Sequence, residues 1–364
     1  MLKLTAEELT ARARADLRIG APVVVVSEGA AGVAASAEML SADRLAQMLG
    51  VSPDLDIAIT ARRAETLKAR AYDGDIARLV VVADMTLDVI HNITDPALAL
   101  SRPLMGPFAS RRDHSAAAHR LAIRVAKSAR LLPAVIFARM DEDEARALAA
   151  ASNLTVIDDA IMATADDAAV DLTCVSSARV PLEVAENARV HVFRPANGDE
   201  EHYAIEIGRP DRAEPVLSRL HSACFTGDLI GSLKCDCGPQ LRAALGQIGD
   251  SGAGVLLYLN QEGRGIGLAN KMRAYSLQDQ GYDTVEANHR LGFEDDERDF
   301  RIGARILMAL GFSSVTLMTN NPGKVAGMEA AGVRVAARAP LIVGENAHNV
   351  AYLKTKASKS GHLL

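Results

Sequence analysis

Tryptophan is absent from this chain of 364 residues, and aromatic residues of all kinds reach only 4%. Cores without large rings must be aliphatic, and the 49% of apolar residues is enough to fill two of them. No apolar run reaches the roughly 18 residues that a membrane helix needs. No targeting pattern opens the chain, so the expectation is a soluble cytoplasmic protein with no membrane partner. Low-complexity tracts and repeats are missing. The formal charge of −6 argues against broad nucleic-acid binding, although it leaves room for a local basic site. Cysteine is scarce as well, with four residues in all, and nothing marks the chain for a disulfide-forming compartment.

What is present is concentrated. Cys224, Cys235 and Cys237 form a C-x10-C-x-C cluster. Close thiolates suit a borderline divalent ion, zinc first among them. Three protein ligands leave a tetrahedral ion one open position for water. The same spacing admits a structural site with a fourth ligand elsewhere, or three core cysteines. Gly238-Pro239 and the helical stretch Gln240–Ile248 follow, which places the pair at a helix N-terminus, where the dipole favours thiolate. Val255–Leu259 then reads as a buried strand.

Gln261-Glu262-Gly263-Arg264-Gly265-Ile266-Gly267 comes next, before a helical pattern over Leu268–Gln280. It matches neither the Walker A spacing nor the dinucleotide fingerprint. A plain turn would account for the glycines. Glu262 could accept from a guanine-type N–H edge, and Arg264 could take a phosphate bidentately. Thr319-Asn-Asn-Pro-Gly-Lys324 follows the strand Val315–Met318 and opens another helix, a second place for an anion or a base edge.

The fold class expected is mixed α/β in two domains: residues 1–165, a small polar linker over 166–187, and 188–364. Ala188–Phe193 and His202–Ile207 alternate as strands do, with Pro195–Gly198 as their turn. Cys174, alone in the linker, reads as inert. In the N-terminal part, Pro22–Val26, Leu79–Val82 and Leu132–Phe137 read as strands, and His114–Arg130 and Glu142–Ala151 as helices.

From about Val190 to Leu364 the chain resembles GTP cyclohydrolase II, the first enzyme of riboflavin synthesis. The resemblance is carried by the cysteine cluster with Gly238 and Gln240, Gln261–Arg264, Asp283–Asn288, Asp296-Glu-Arg298-Asp-Phe300, Thr319–Pro322 and the ending Gly361–Leu364. It implies conversion of GTP and water to formate, pyrophosphate and 2,5-diamino-6-ribosylamino-4(3H)-pyrimidinone 5′-phosphate. One Zn2+ per chain on Cys224, Cys235 and Cys237 would activate the water that opens the imidazole ring at C8. The resemblance makes Arg298 the nucleophile at the α-phosphate and Asp296 its proton acceptor. A guanidinium is normally protonated, so physics favours Arg298 as a stabiliser of phosphate charge. Tyr275 would orient the water or the base. Arg219, Leu220, His221, Ser222, Ala223, Gln240, Glu262, Gly263, Arg264, Thr284, Thr319 and Lys324 would contact the nucleotide, with Mg2+ on the triphosphate. Two positions depart from the family: Ala223 stands where it has Glu, and Asn260 where it favours Arg. They motivate one other reading, the same chemistry on another purine nucleotide; a third, a non-catalytic nucleotide-binding regulator, is opposed by the retained cysteines, Tyr275, Asp296 and Arg298.

The N-terminal part resembles 3,4-dihydroxy-2-butanone 4-phosphate synthase, through Asp16–Val26, His114–Ala118 and Leu132-Pro-Ala134. That family's acidic loop reads here Ser27–Ser36, with Glu28 as its one carboxylate, and its His-Thr-Glu-Ala reads His114-Ser-Ala-Ala117. The reading is a degenerate, non-catalytic domain in which His114 is a structural or surface residue. Synthase homologues are dimeric, which implies a homodimer.

Overall fold

The computed structural model of the chain describes residues 2–98, 106–344, 346 and 349, so the ending Gly361–Leu364 lies outside the described residues. Two compact units emerge: Met1–Asp166 with Ala269–Asp296, and Asp167–Leu268 with Glu297–Leu364.

The first unit is built on six strands: β1 (Val23–Ser27), β2 (Ala30–Ser36), β3 (Leu55–Thr60), β4 (Ile76–Val80), β5 (Ala134–Met140) and β6 (Val156–Asp158). Their order is β4-β3-β5-β2-β1-β6, antiparallel except for β1 with β6. Both faces are covered, which is why β1 reads as an unbroken valine run. Val24 and Val26 enter one core, and Val23 and Val25 enter the other. Helices Ala6–Arg18 and Ala117–Ser128 cover the second face, and Ala42–Val51 and Leu87–Thr94 the first. The segment Ser27–Ser36, expected as a loop, is a tight hairpin. Glu28 and Gly29 turn at φ 48° and 74°, and Ala30–Ser36 runs back as β2. Small residues at 30–36 lack the β-branched signature of a strand, yet they are the ones that fit under the helices on both faces.

The second unit carries β7 (Leu172–Arg179), β8 (Ala188–Pro195), β9 (His202–Ile207), β10 (Val216–Ser222), β11 (Gly254–Leu259), β12 (Ser314–Met318) and β13 (Arg334–Ala339) in the order β13-β12-β10-β11-β9-β8-β7. β10 to β13 are parallel, and β9, β8 and β7 extend the sheet antiparallel. From β10 the chain goes to β11 on one side and later to β12 on the other, so β10 lies at a topological switch point. Ligands of open α/β sheets bind there, beyond the carboxyl ends of the strands.

Two boundaries differ from the sequence reading. The expected linker 166–187 contains β7, an edge strand exposed along nearly its whole length. It shows no hydrophobic alternation, because its order comes from backbone pairing with β8 rather than from burial. The second difference is the segment 269–296, expected within the C-terminal domain. It packs in the first unit. Helix Thr284–Leu291 lies against helix Ala61–Thr66. Thr60 Oγ1 donates to the Gly292 carbonyl at 2.8 Å, and Arg62 pairs with Glu294 at 2.9 Å. The excursion has a narrow neck, because the Glu297 amide donates to the Arg264 carbonyl at 2.9 Å, next to both crossing points.

Candidate active site

β10 ends at Ser222, and the chain turns at once into the loop of Cys224. The Cys224 and Cys235 sulfurs lie 3.7 Å apart, and all three sulfurs fall within 4.8 Å of one another. A disulfide would need about 2.05 Å. A tetrahedral ion with Zn–S near 2.3 Å holds its sulfurs about 3.8 Å apart, close to the spacing of Cys224 and Cys235. Cys224 and Cys235 are buried. Hydrogen bonding from Cys224 and mutual crowding push the Cys235 thiol up from its usual range, and the Cys237 thiol well up. A bound cation would favour the thiolate form of these ligands.

Gly227 makes the cluster possible. A Cβ there would stand 2.8 Å from the Cys235 sulfur and 3.1 Å from the Cys224 sulfur. Its amide donates to the Cys224 sulfur at 3.2 Å. A Cβ on Gly238 would meet the Gly227 carbonyl at 2.1 Å, so the loop and the helix Cys237–Asp250 touch backbone to backbone. The Cys237 end of that helix confirms the cysteine pair at a helix N-terminus. The donor set and its cradle fit a thiophilic divalent ion held by Cys224, Cys235 and Cys237.

Asp228 holds the loop in place. Its carboxylate accepts from the Cys224 amide at 3.0 Å and from Tyr258 Oη at 3.1 Å, and it contacts His221 Nε2 at 3.0 Å. His221 is buried, and burial pushes its pKa below the ordinary value against the pull of Asp228. Burial and Asp228 push the Tyr258 hydroxyl up. Gly227, Asp228 and Tyr258 were not among the residues singled out from sequence. Gly227 and Asp228 have one signal, the turn-forming Thr226-Gly227-Asp228 inside the ten-residue spacer, and Tyr258 is hidden in the apolar run of β11.

Several of the expected nucleotide contacts lie at the carboxyl ends of β10 and β12. Arg219 is buried, and that burial lowers its pKa to about 10. It donates to the Met318 carbonyl at 2.8 Å and to Gln240 Oε1 at 2.6 Å, and Gln240 in turn donates to Asp236. These bonds tie β10 and the end of β12 to the residue between Cys235 and Cys237. Leu220 sends its side chain into the core, and its carbonyl takes the Lys324 ammonium at 2.8 Å. The Ala223 amide extends the pairing with β11 by donating to the Leu259 carbonyl. Thr319 Oγ1 accepts from the Asn321 amide at 3.0 Å as the chain leaves β12.

The glycine loop is a left-handed turn. Gly263, Arg264 and Gly265 have φ of 64°, 63° and 96°. Gly265 has a further reason to be glycine: a Cβ there would lie 2.7 Å from the Glu297 carbonyl. Glu262 accepts from the Phe225 amide at 2.6 Å, which joins this loop to that of Cys224. Arg298 Nη1 lies 3.2 Å from Ser222 Oγ, two residues from Cys224. The charged segment and the cysteines, distant in sequence, therefore meet at the end of β10. Tyr275, Thr284 and Asp296 belong to the segment 269–296 of the first unit.

A trio of thiols, two of them buried, at the switch point of an α/β sheet that also carries arginine and lysine, fits metal-assisted hydrolysis of an anionic substrate. The profile of the GTP cyclohydrolase II family matches residues 173–340. A GTP cyclohydrolase-2 of Azospirillum brasilense is 43% identical over 363 residues, covering 97% of this chain and 93% of the relative. One from Cronobacter sakazakii is 54% identical over 190 residues, covering 52% of this chain and 96% of the relative. The chain belongs to the GTP cyclohydrolase II family. Among solved structures, a two-domain 3,4-dihydroxy-2-butanone 4-phosphate synthase from A. baumannii matches at 16% identity over 92% of this chain and 99% of its own, with a TM-score of 0.35. Among the described residues, no helix is long and apolar enough to cross a membrane.

Proposed function

We propose that the chain opens the imidazole ring of GTP with release of formate and pyrophosphate, leaving the diaminopyrimidine ribosylamino phosphate of riboflavin synthesis. The observation that carries the reading is the three-thiol cluster, spaced for a tetrahedral ion and cleared by Gly227, with Arg298 brought beside it. One Zn2+ per chain, when bound to Cys224, Cys235 and Cys237, would supply Lewis acidity and an activated water. The chain's own residues do the rest. The Glu262 and Asp228 carboxylates fix the cysteine loop at the Phe225 and Cys224 amides, so the metal ligands are preorganised. Arg298, held at Ser222, presents a fixed cation to the phosphates, and Asp296 accepts the proton released there. Mg2+ is expected on the triphosphate, carried mostly by substrate oxygens. Tyr275 orients water or base. The remaining proposed contacts, from Arg219 to Ala223 with Gln240, Gly263, Arg264, Thr284, Thr319 and Lys324, shape the nucleotide site, several of them by holding the loops rather than by reaching the ligand. The Asn260 side chain donates to the Glu201 carbonyl and is thereby tied to the loop before β9. We read the enzyme as a cytoplasmic homodimer with a non-catalytic N-terminal part.

The test is incubation of the purified protein with GTP and Mg2+, with formate, pyrophosphate and metal content measured together. Wild type should carry one zinc per chain and form formate and pyrophosphate in equal amounts. Cys235→Ser should lose both metal and formate release. Full ring opening by a metal-free preparation would sink the reading.

A further inference from the structure

The N-terminal part carries residues with no place in the chemistry above, and several of them grip the excursion 269–296. The tightest grip is on Arg273, in helix Leu268–Asp279. Its Nε donates to Asp95 at 2.8 Å, its Nη2 to Glu38 at 2.9 Å and its Nη1 to Asn270 at 2.8 Å. Both acids are anchored in turn. Glu38 accepts from the Leu132 amide at 2.7 Å, and Asp95 caps the Ala97 amide at 2.9 Å. Asn270 is fully buried and donates to the Arg130 carbonyl at 3.0 Å. One guanidinium therefore locks a helix to two separate loops by a planar fork, which fixes rotation about the helix axis as well as position.

That helix also carries Tyr275. Residues two apart on a helix lie about 200° apart around the axis, so the face fixed by Arg273 leaves Tyr275 on the opposite side. We propose that Arg273, clamped between Glu38 and Asp95, is a positioning residue for Tyr275, and that the N-terminal part serves this enzyme as the scaffold of its excursion 269–296. The proposal rests on the reading of Tyr275 given above. It accounts for a domain that has lost the acids of a synthase and keeps Glu38 and Asp95 engaged with Arg273 more than 170 residues away.

A cavity of about 270 Å³ adjoins the clamp, lined in part by Glu38, His91, Asp95 and Arg273 itself. Water entering it can solvate both carboxylates once the guanidinium is removed, so the variant is expected to fold.

The experiment is a double-mutant cycle on GTP turnover by the full-length zinc enzyme, with Arg273→Ala, Tyr275→Phe and their combination. Arg273→Ala should lower kcat about tenfold through misplacement of a group in the site, with KM and zinc content within about twofold of wild type. Arg273→Lys, which keeps the charge and loses the fork, should fall between. In the Tyr275→Phe background the same substitution should change kcat by less than about twofold, because the group it positions has gone. Equal losses in both backgrounds would overturn the positioning role while leaving the role of Tyr275 standing. Wild-type turnover by Tyr275→Phe would overturn the reading of Tyr275 and this proposal with it. Should Arg273→Ala not fold, Asp95→Asn enters the cycle in its place, with the same outcomes.

Discussion

At the scale of single residues, the cysteines were legible and their supports were not. Spacing alone announces C-x10-C-x-C, because ligand chemistry restricts which residues can bind. Gly227 and Asp228 act by shape and by a carboxylate aimed at a backbone amide, and many sequences meet those needs without any metal. Gly227→Ala pushes a methyl group to 2.8 Å from one sulfur and 2.9 Å from the Cys237 Cβ. Zinc affinity should fall at least about tenfold, read by competition with a chelator. Arg298 was expected at the phosphates from a segment remote in sequence from the cysteines, and the fold sets it against Ser222. Arg298→Ala should reduce pyrophosphate release by roughly 10²- to 10³-fold with zinc content unchanged. Wild-type release by that variant would refute its role at the phosphates.

At the scale of elements, buried strands and helices with clear periodicity were readable, and errors gathered where order has another source. β11, expected at 255–259, spans Gly254–Leu259, and the helix expected at 142–151 spans Glu142–Ser152. The helix expected from His114 starts at Ala117, because His114 sits at φ 57° with its side chain half exposed. The motif Asp283-Thr-Val-Glu286 has a local reason that the resemblance obscured: it is a capping box, with Asp283 accepting from the Glu286 amide and Glu286 from that of Asp283. The hairpin at Glu28–Gly29 carries the firmest expectation at this scale. A two-residue turn with one carboxylate offers no cage for a hard cation. The full-length protein should form no formate from ribulose 5-phosphate with Mg2+, and magnesium-dependent formate from that substrate would overturn the reading.

For the whole molecule, the two-part layout was readable from composition, but the route of the chain was not. The return of 269–296 to the first unit depends on side-chain pairs such as Arg62 with Glu294, and sequence shows no partner across 232 residues. Each unit also buries one histidine against an aspartate: His119 against Asp56 at 3.1 Å, and His221 against Asp228. Burial holds both below the ordinary 6.5. The unfolded chain therefore binds more protons than the folded one once the pH falls through about 6.5, so stability is lost on acidification and is retained above it. Melting temperature should drop between pH 7.5 and pH 5.5, and His119→Gln should flatten that slope. A slope unchanged by the substitution would show that other groups carry it.

The neck at Arg264 and Glu297 has a consequence for the order of events at the ribosome. Translation delivers residues 1–166 first, yet helix Ala61–Thr66 waits for a partner that is not made until residue 291. The first unit emerges early and finishes late. Its uncovered surface stays open while about 125 further residues, 167 to 291, are added at roughly 5–20 residues per second. A nascent chain in that interval is the form of this protein that a chaperone would meet.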